Sequence, residues 1–125
     1  MDLKVKVNQA SPHELVRLMF DGALDNLANA KAAIEAGDDE GQNNHLKAAL
    51  AIIDGLKGSL DAKRGGSLAE NLFALYSYMN RRLIEADDLN SVDPLVEVSD
   101  LILTLKEAWE AIEPECMINQ QQCLA

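Results

Sequence analysis

Residues 65–86, GGSLAENLFALYSYMNRRLIEA, decide the fold. Leu68, Leu72, Leu75, Met79, Leu83 and Ala86 recur at steps of three and four, which sets them on one face of an α-helix. Phe73, Tyr76 and Ile84 form a second row beside the first. The apolar surface is therefore wider than one seam between helices requires. A helix touching two neighbours would use such width, and so would a groove for a partner.

The same spacing recurs on both sides of this stretch. Ser11, Pro12 and Glu14 make a helix start, with a capping hydroxyl, proline at the first helical position and an acid three residues on. Val16, Phe20, Ala23, Leu27, Ala30 and Ile34 follow as a stripe, and Gly37 ends a helix of about 11–36. His13, in its first turn, reads as an exposed, ordinary histidine. The polar run GDDEGQNN, residues 37–44, reads as a tight turn whose acids and amides cap the second helix.

A second helix of about 42–63 carries Leu46, Ala49, Leu50, Ile53, Leu56 and Leu60 as its core stripe, flanked by Ala48, Ala51, Ile52, Gly55 and Ser59. A glycine inside a helix costs roughly 1 kcal/mol against alanine, so Gly55 and Gly58 imply close approach by another backbone, internal or foreign. Lys63 to Gly66 supply basic charge at the helix C-terminus and two glycines for a turn. Ser67 and Glu70 then open the third helix, about 67–88. Asp93 as N-cap and Pro94 open the fourth, about 94–113, with Leu95, Val98, Ile102, Leu105, Trp109 and Ile112 at helical spacing. Trp109 packs across the end of the core, its indole N–H needing a partner.

Four amphipathic helices on short connections predict an all-α, antiparallel up-down-up-down four-helix bundle over residues 11–113. A segment, residues 1–10, precedes it, and a loose tail, residues 114–125, follows. In the first segment Leu3, Val5 and Val7 alternate with Lys4 and Lys6, the period of an extended strand. It is either a disordered terminus or a short lid over an apolar groove.

The totals fit one helical domain: 125 residues, 48% hydrophobic, with 7 glycines and 3 prolines. A net charge of -10, from 11 basic and 21 acidic side chains, repels a phosphate backbone and argues against nucleic acid. No apolar run reaches the length of a signal peptide's core or of a membrane span, so a cytoplasmic protein without membrane insertion is expected. Cys116 and Cys123 read as reduced thiols, and with two distant histidines they fall short of a metal site.

Catalysis finds little support. Di-iron bundles use Glu-x-x-His pairs, yet Ala10 and Gln42 stand three residues before the two histidines. His45-Leu46-Lys47 departs from the His-x-x-Lys-Gly motif of phosphotransfer bundles. The Gly-Gly pair lacks the spacing and the Lys-Ser/Thr ending of a phosphate loop. With no nucleophile–base pair either, a binding protein without cofactors is expected.

Ala10-Ser11-Pro12, Phe20-Asp21-Gly22-Ala23, Gly65-Gly66, Asn71-Leu72, Leu75-Tyr76, Tyr78-Met79, Arg81-Arg82-Leu83, Glu85-Ala86 and Ala108-Trp109 occur in that order. Over roughly residues 10–112 this pattern resembles the FliS family of flagellar secretion chaperones. The resemblance implies a non-catalytic cytoplasmic bundle that binds the disordered C-terminal segment of flagellin, prevents premature polymerisation and delivers it to the flagellar type III export apparatus. It also implies docking on the export gate. In the family that docking is associated with a longer leading segment carrying a tyrosine, whereas no aromatic residue precedes Phe20 here. The family's usual asparagine after the third helix's Glu-Ala is Asp87, which keeps an acceptor, loses a donor and adds charge.

The client-binding residues expected on this reading are Phe73, Tyr76 and Ile84 from the outer row, with Asn71 and Arg82 as polar anchors and Ile52 and Gly55 lining a neighbouring trough. Leu3, Val5 and Val7 are the lid candidates. The alternative is a regulatory or assembly module holding another flagellar protein, an anti-sigma factor or a co-chaperone, in the same groove. Weak homo-oligomerisation through the exposed stripe is a further expectation.

Overall fold

The computed structural model describes residues 11–60 and 62–111. Within them the chain forms α1 (Pro12–Ala36), α2 (Asp39–Gly58), α3 (Ala62–Leu89) and α4 (Asp93–Glu110). Each helix packs on two others in a closed ring, α1 against α2 and α4, and α3 against α2 and α4. Cross-helix contacts run in opposite order along α1 and α4 and along α2 and α3. On α1 and α4, His13 meets Trp109 and Asp21 meets Lys106, and on α2 and α3, Gln42 meets Asp87 while Asp54 meets Asn80. The all-α, antiparallel up-down-up-down bundle is thus what the sequence predicts.

The first helix starts and stops where its residues dictate. Ser11 Oγ accepts from the Glu14 backbone N–H at 3.1 Å, and Gly37, at φ 73°, returns its N–H to the carbonyls of Ala33 and Ile34. The polar run after it is not a turn of eight residues. Asp38 Oδ1 accepts from Gly41 N at 3.0 Å, and Asp39 and Glu40 occupy the first turn of α2, where the helix dipole favours acids. Capping chemistry and turn chemistry use the same residue types, so α2 begins three residues earlier than its apolar stripe indicates.

α2 also ends earlier, at Gly58. Ser59 N donates to Gly55 and Leu56 carbonyls, and Ser59 Oγ donates to Leu56 O at 2.8 Å. Ala62 to Gly65 belong instead to a turn of helix leading into α3, and the kink falls at Gly66, at φ 58° and ψ -137°. α3 closes on Asn90, at φ 50°, with Ser91 N donating to Ala86 O at 3.1 Å. Asp93 is the first helical residue of α4 and not its cap. The cap is Val92, which has no side-chain hydrogen bond, and Ser91 Oγ takes the Asp93 N–H at 3.3 Å.

Four stripes of side chains, one from each helix, fill the core: Phe20, Ala23, Leu27 and Ala30; Leu46, Ala49, Ile53 and Leu56; Tyr76, Met79, Leu83 and Ala86; and Leu95, Val98 and Ile102. The expected stripes supply nearly all of these. At the open end Trp109 Nε1 donates to His13 O at 2.8 Å, His13 Nε2 donates to Trp109 O at 2.9 Å, and the rings stack 5.2 Å apart. His13 is accordingly half-buried and structural, where the sequence suggests an exposed bystander. The Leu3, Val5 and Val7 segment, the two cysteines and the tail lie outside the described residues.

Candidate functional site

The client-binding residues expected from sequence separate onto four surroundings. Tyr76 leaves the outer row altogether: it is 4% exposed and belongs to the core, and burial pushes its phenol up to about 12. Phe73 and Ile84 keep their places outside, at 52% and 51% exposure. The two share a flank of α3 with Asn80, at steps of seven and four. That flank faces α2, because Lys57 Nζ lies 5.2 Å over the Phe73 ring and Asn80 Nδ2 donates to Asp54 Oδ1 at 2.7 Å.

Asn71 and Arg82, eleven residues apart, lie on the opposite flank. Arg82 Nε donates to Glu97 Oε1 of α4 at 2.6 Å, and its Nη1 donates to Glu85 Oε1 at 3.3 Å. Tyr78 Oη donates to the other oxygen of Glu97 at 2.5 Å. The Tyr78 hydroxyl, then the Arg82 guanidinium, hold the Glu97 carboxyl below the usual carboxylate range, while Glu97 raises both of its donors. Arg82 is thus engaged as an α3–α4 tie, and Asn71 stands exposed beyond it.

Ile52 and Gly55 face away from this surface. A side chain added at Gly55 would meet Met19 Cε of α1 at 3.0 Å, and one at Gly22 of α1 would meet Ile52 Cδ1 at 3.3 Å. The close approach that Gly55 signals is internal. With His45 Nδ1 donating to Asn26 Oδ1 at 3.1 Å, these contacts make the α1–α2 seam and do not adjoin Phe73.

What the structure adds is a distribution. Among the described residues every exposed large hydrophobic side chain is on α3 or α4: Leu68, Phe73, Ile84, Leu89, Val96 and Leu103. The α3 members bracket two flanks edged with hydrogen-bonding groups, the Asp54–Asn80 pair on one and the Glu97 cluster on the other. Asn80 Oδ1 is buried with no hydrogen-bond partner. Apolar area bordered by directional polar groups is the chemistry of a peptide-binding surface. Among the described residues no group of three or more histidine, cysteine or acidic side chains is placed to hold a metal ion, and no helix is long and apolar enough to cross a membrane.

Sequence reasoning misses Leu89, Val96 and Leu103, which stand off the core stripes. It also misses Gln42, which is 4% exposed and donates to Asp87 Oδ1 at 3.1 Å and Asn90 Oδ1 at 2.9 Å. The acceptor that Asp87 keeps is the atom this tie uses.

Comparison with known proteins agrees with the resemblance. The sequence pattern of a family described as "Flagellar protein FliS" matches residues 2–116. The "Flagellar secretion chaperone FliS" of Salmonella typhimurium is 40% identical over 117 residues, covering 93% of this chain and 87% of that protein. The "Flagellar secretion chaperone FliSB" of Pseudomonas aeruginosa is 40% identical over 112 residues, 90% of this chain and 89% of the relative. The Bacillus subtilis FliS chaperone is 36% identical over 110 residues, 87% and 81% of the two chains.

Proposed function

The chain belongs to the FliS family, and on that premise we propose that it is a flagellar export chaperone, a non-catalytic cytoplasmic protein whose client is the C-terminal segment of flagellin. In this reading it shields the disordered client, prevents premature polymerisation and delivers it to the flagellar type III export apparatus. One observation carries the reading most directly: Phe73 and Ile84 stand half-exposed on the α3 flank that faces α2, edged by the Asn80–Asp54 hydrogen bond.

The physics follows from what a disordered client needs. Its apolar side chains require a surface outside the core, and its backbone requires hydrogen-bonding groups along the way. Phe73 and Ile84 offer the first, and Asn80 with Asp54 the second. Coupled folding and binding of such a segment typically buries on the order of 1,000–3,000 Å², so the client covers more than these two apolar side chains.

Calorimetric titration with a flagellin C-terminal peptide tests the proposal. A saturable complex with the full chain is expected, weakened at least about tenfold in Phe73→Ser/Ile84→Ser. An absence of binding by the unmodified chain would overturn it.

A further inference from the structure

The side of α4 turned away from the bundle carries a second pattern. Asp93, Val96, Asp100, Leu103, Glu107 and Glu110 follow one another at alternating steps of three and four, and all six are exposed. Alternating threes and fours is the repeat of a seam that packs lengthwise against another helix. This seam plays no part in the core, which α4 meets through Leu95, Val98 and Ile102 on its other side.

Two properties separate it from an ordinary solvated face. Val96 and Leu103 are 42% and 45% exposed, one heptad apart, each set between acids of the row. Among the described residues none of the four carboxylates makes a salt bridge; the ion pairs α4 makes are Glu97 with Arg82 and Lys106 with Asp21, on its flanks toward α3 and α1, and of the four only Glu110 acts on Lys106, from beyond salt-bridge distance. Scattered exposed hydrophobic residues need no explanation, but two in heptad register within an unneutralised acidic row present a shape and a charge to be matched.

We infer that the outer seam of α4 seats a basic amphipathic helix of a second protein, its apolar side chains on Val96 and Leu103 and its lysines or arginines opposite Asp93, Asp100, Glu107 and Glu110. The seam spans about 25 Å at 1.5 Å per residue, room for roughly two to three heptads of partner. Charge selects the occupant. A second copy of this chain would bring carboxylates against carboxylates or against the apolar pair, and a nucleic acid would bring phosphates. The Phe73–Ile84 flank faces α2, so client and second partner occupy different sides of the molecule.

The probe is a labelled three-heptad synthetic helix with leucine and lysine along one seam, titrated against the full chain by fluorescence anisotropy. A scrambled peptide of the same composition serves as the control. The seam peptide is expected to bind at least about tenfold tighter than the scrambled one and to weaken steeply between 0.1 and 0.5 M salt. Asp100→Lys/Glu107→Lys and, separately, Val96→Ser/Leu103→Ser each lose about tenfold in peptide affinity while retaining the melting temperature and flagellin-peptide binding.

Equal binding of the scrambled peptide, or no effect of either double variant, overturns the inference. So does a rise of about tenfold in peptide affinity on removing residues 1–10, since the chain's own Lys4 and Lys6 segment then holds the face. A dimer in sedimentation that Val96→Ser/Leu103→Ser dissolves overturns it equally, with a second copy as occupant. Because flagellin binding is followed in the same variants, failure of this inference is distinguishable from failure of the chaperone reading.

Discussion

The α1–α2 seam and the flanks of α3 are built on opposite plans. Along the first, Met19, Gly22, Asn26 and Ala33 of α1 meet Gly55, Ile52, His45 and Gly41 of α2, and the helices approach closely enough that side-chain tips fill what glycine leaves open. No large hydrophobic side chain is exposed on either helix among the described residues. α3 is held to its neighbours by polar bridges at intervals, Asn80 to Asp54, Gln42 to Asp87, and Tyr78 and Arg82 to Glu97, with apolar side chains left outside between them. The lesson is a division of labour: one pair of helices closes the bundle, and the other two leave apolar surface over.

The sharpest contrast lies within α3. Tyr76 and Phe73 are three residues apart, yet one is core and the other half-exposed. Tyr76→Ala should cost about 3–5 kcal/mol in urea denaturation, the range for emptying a buried aromatic site, whereas Phe73→Ala should stay within about 0.5 kcal/mol. Equal costs would break the distinction between core and surface on this helix.

Ala30 is fully buried where α1 meets its neighbours. Ala30→Leu should destabilise by about 1–3 kcal/mol through overpacking, measured the same way. A neutral result would mean that the closed pair is looser than its contacts indicate.

The polar bridges predict a pH signature. Because the folded-state pKa of Glu97 is depressed, its contribution is present above the ordinary carboxylate value of 4.5 and is lost as pH falls through the lower folded value. Glu97→Gln should therefore be modestly less stable than the unmodified chain at pH 7, with the difference vanishing on acidification below 4.5. A difference unchanged at low pH would show that the carboxylate charge is irrelevant to the α3–α4 tie.

The smallest effect is expected at Gly55. A methyl there gains helix propensity of roughly 0.5–1 kcal/mol but displaces the flexible tip of Met19, 3.0 Å away. Gly55→Ala should stay within about 0.5 kcal/mol of the parent in thermal unfolding.

Much of this was legible beforehand, and the reasons for the rest are specific. The caps at Ser11 and Gly37 and the stripe through Met79, Leu83 and Ala86 are local rules, and the folded chain obeys them. The start of α2 was hidden because Asp38, Asp39 and Glu40 suit a turn and an acidic first helical turn equally. The site was harder. At about 100° per residue, Tyr76 and Phe73 differ by only about 60° around the helix, and the direction of the neighbours decides which is buried. Periodicity within one helix carries no such direction. Likewise Gly55 signalled close packing, but what approaches it is the Met19 side chain of α1 and not a backbone, and nothing crowds Gly58.

The claim at the centre is that surface left over on α3 serves a client while the core beneath it serves the fold. Calorimetric titration of a flagellin C-terminal peptide into Phe73→Ser/Ile84→Ser, alongside its melting temperature, tests this most directly. The account predicts a melting temperature within a few degrees of the parent and at least about tenfold weaker binding. Unchanged affinity in a fully folded double variant would contradict it.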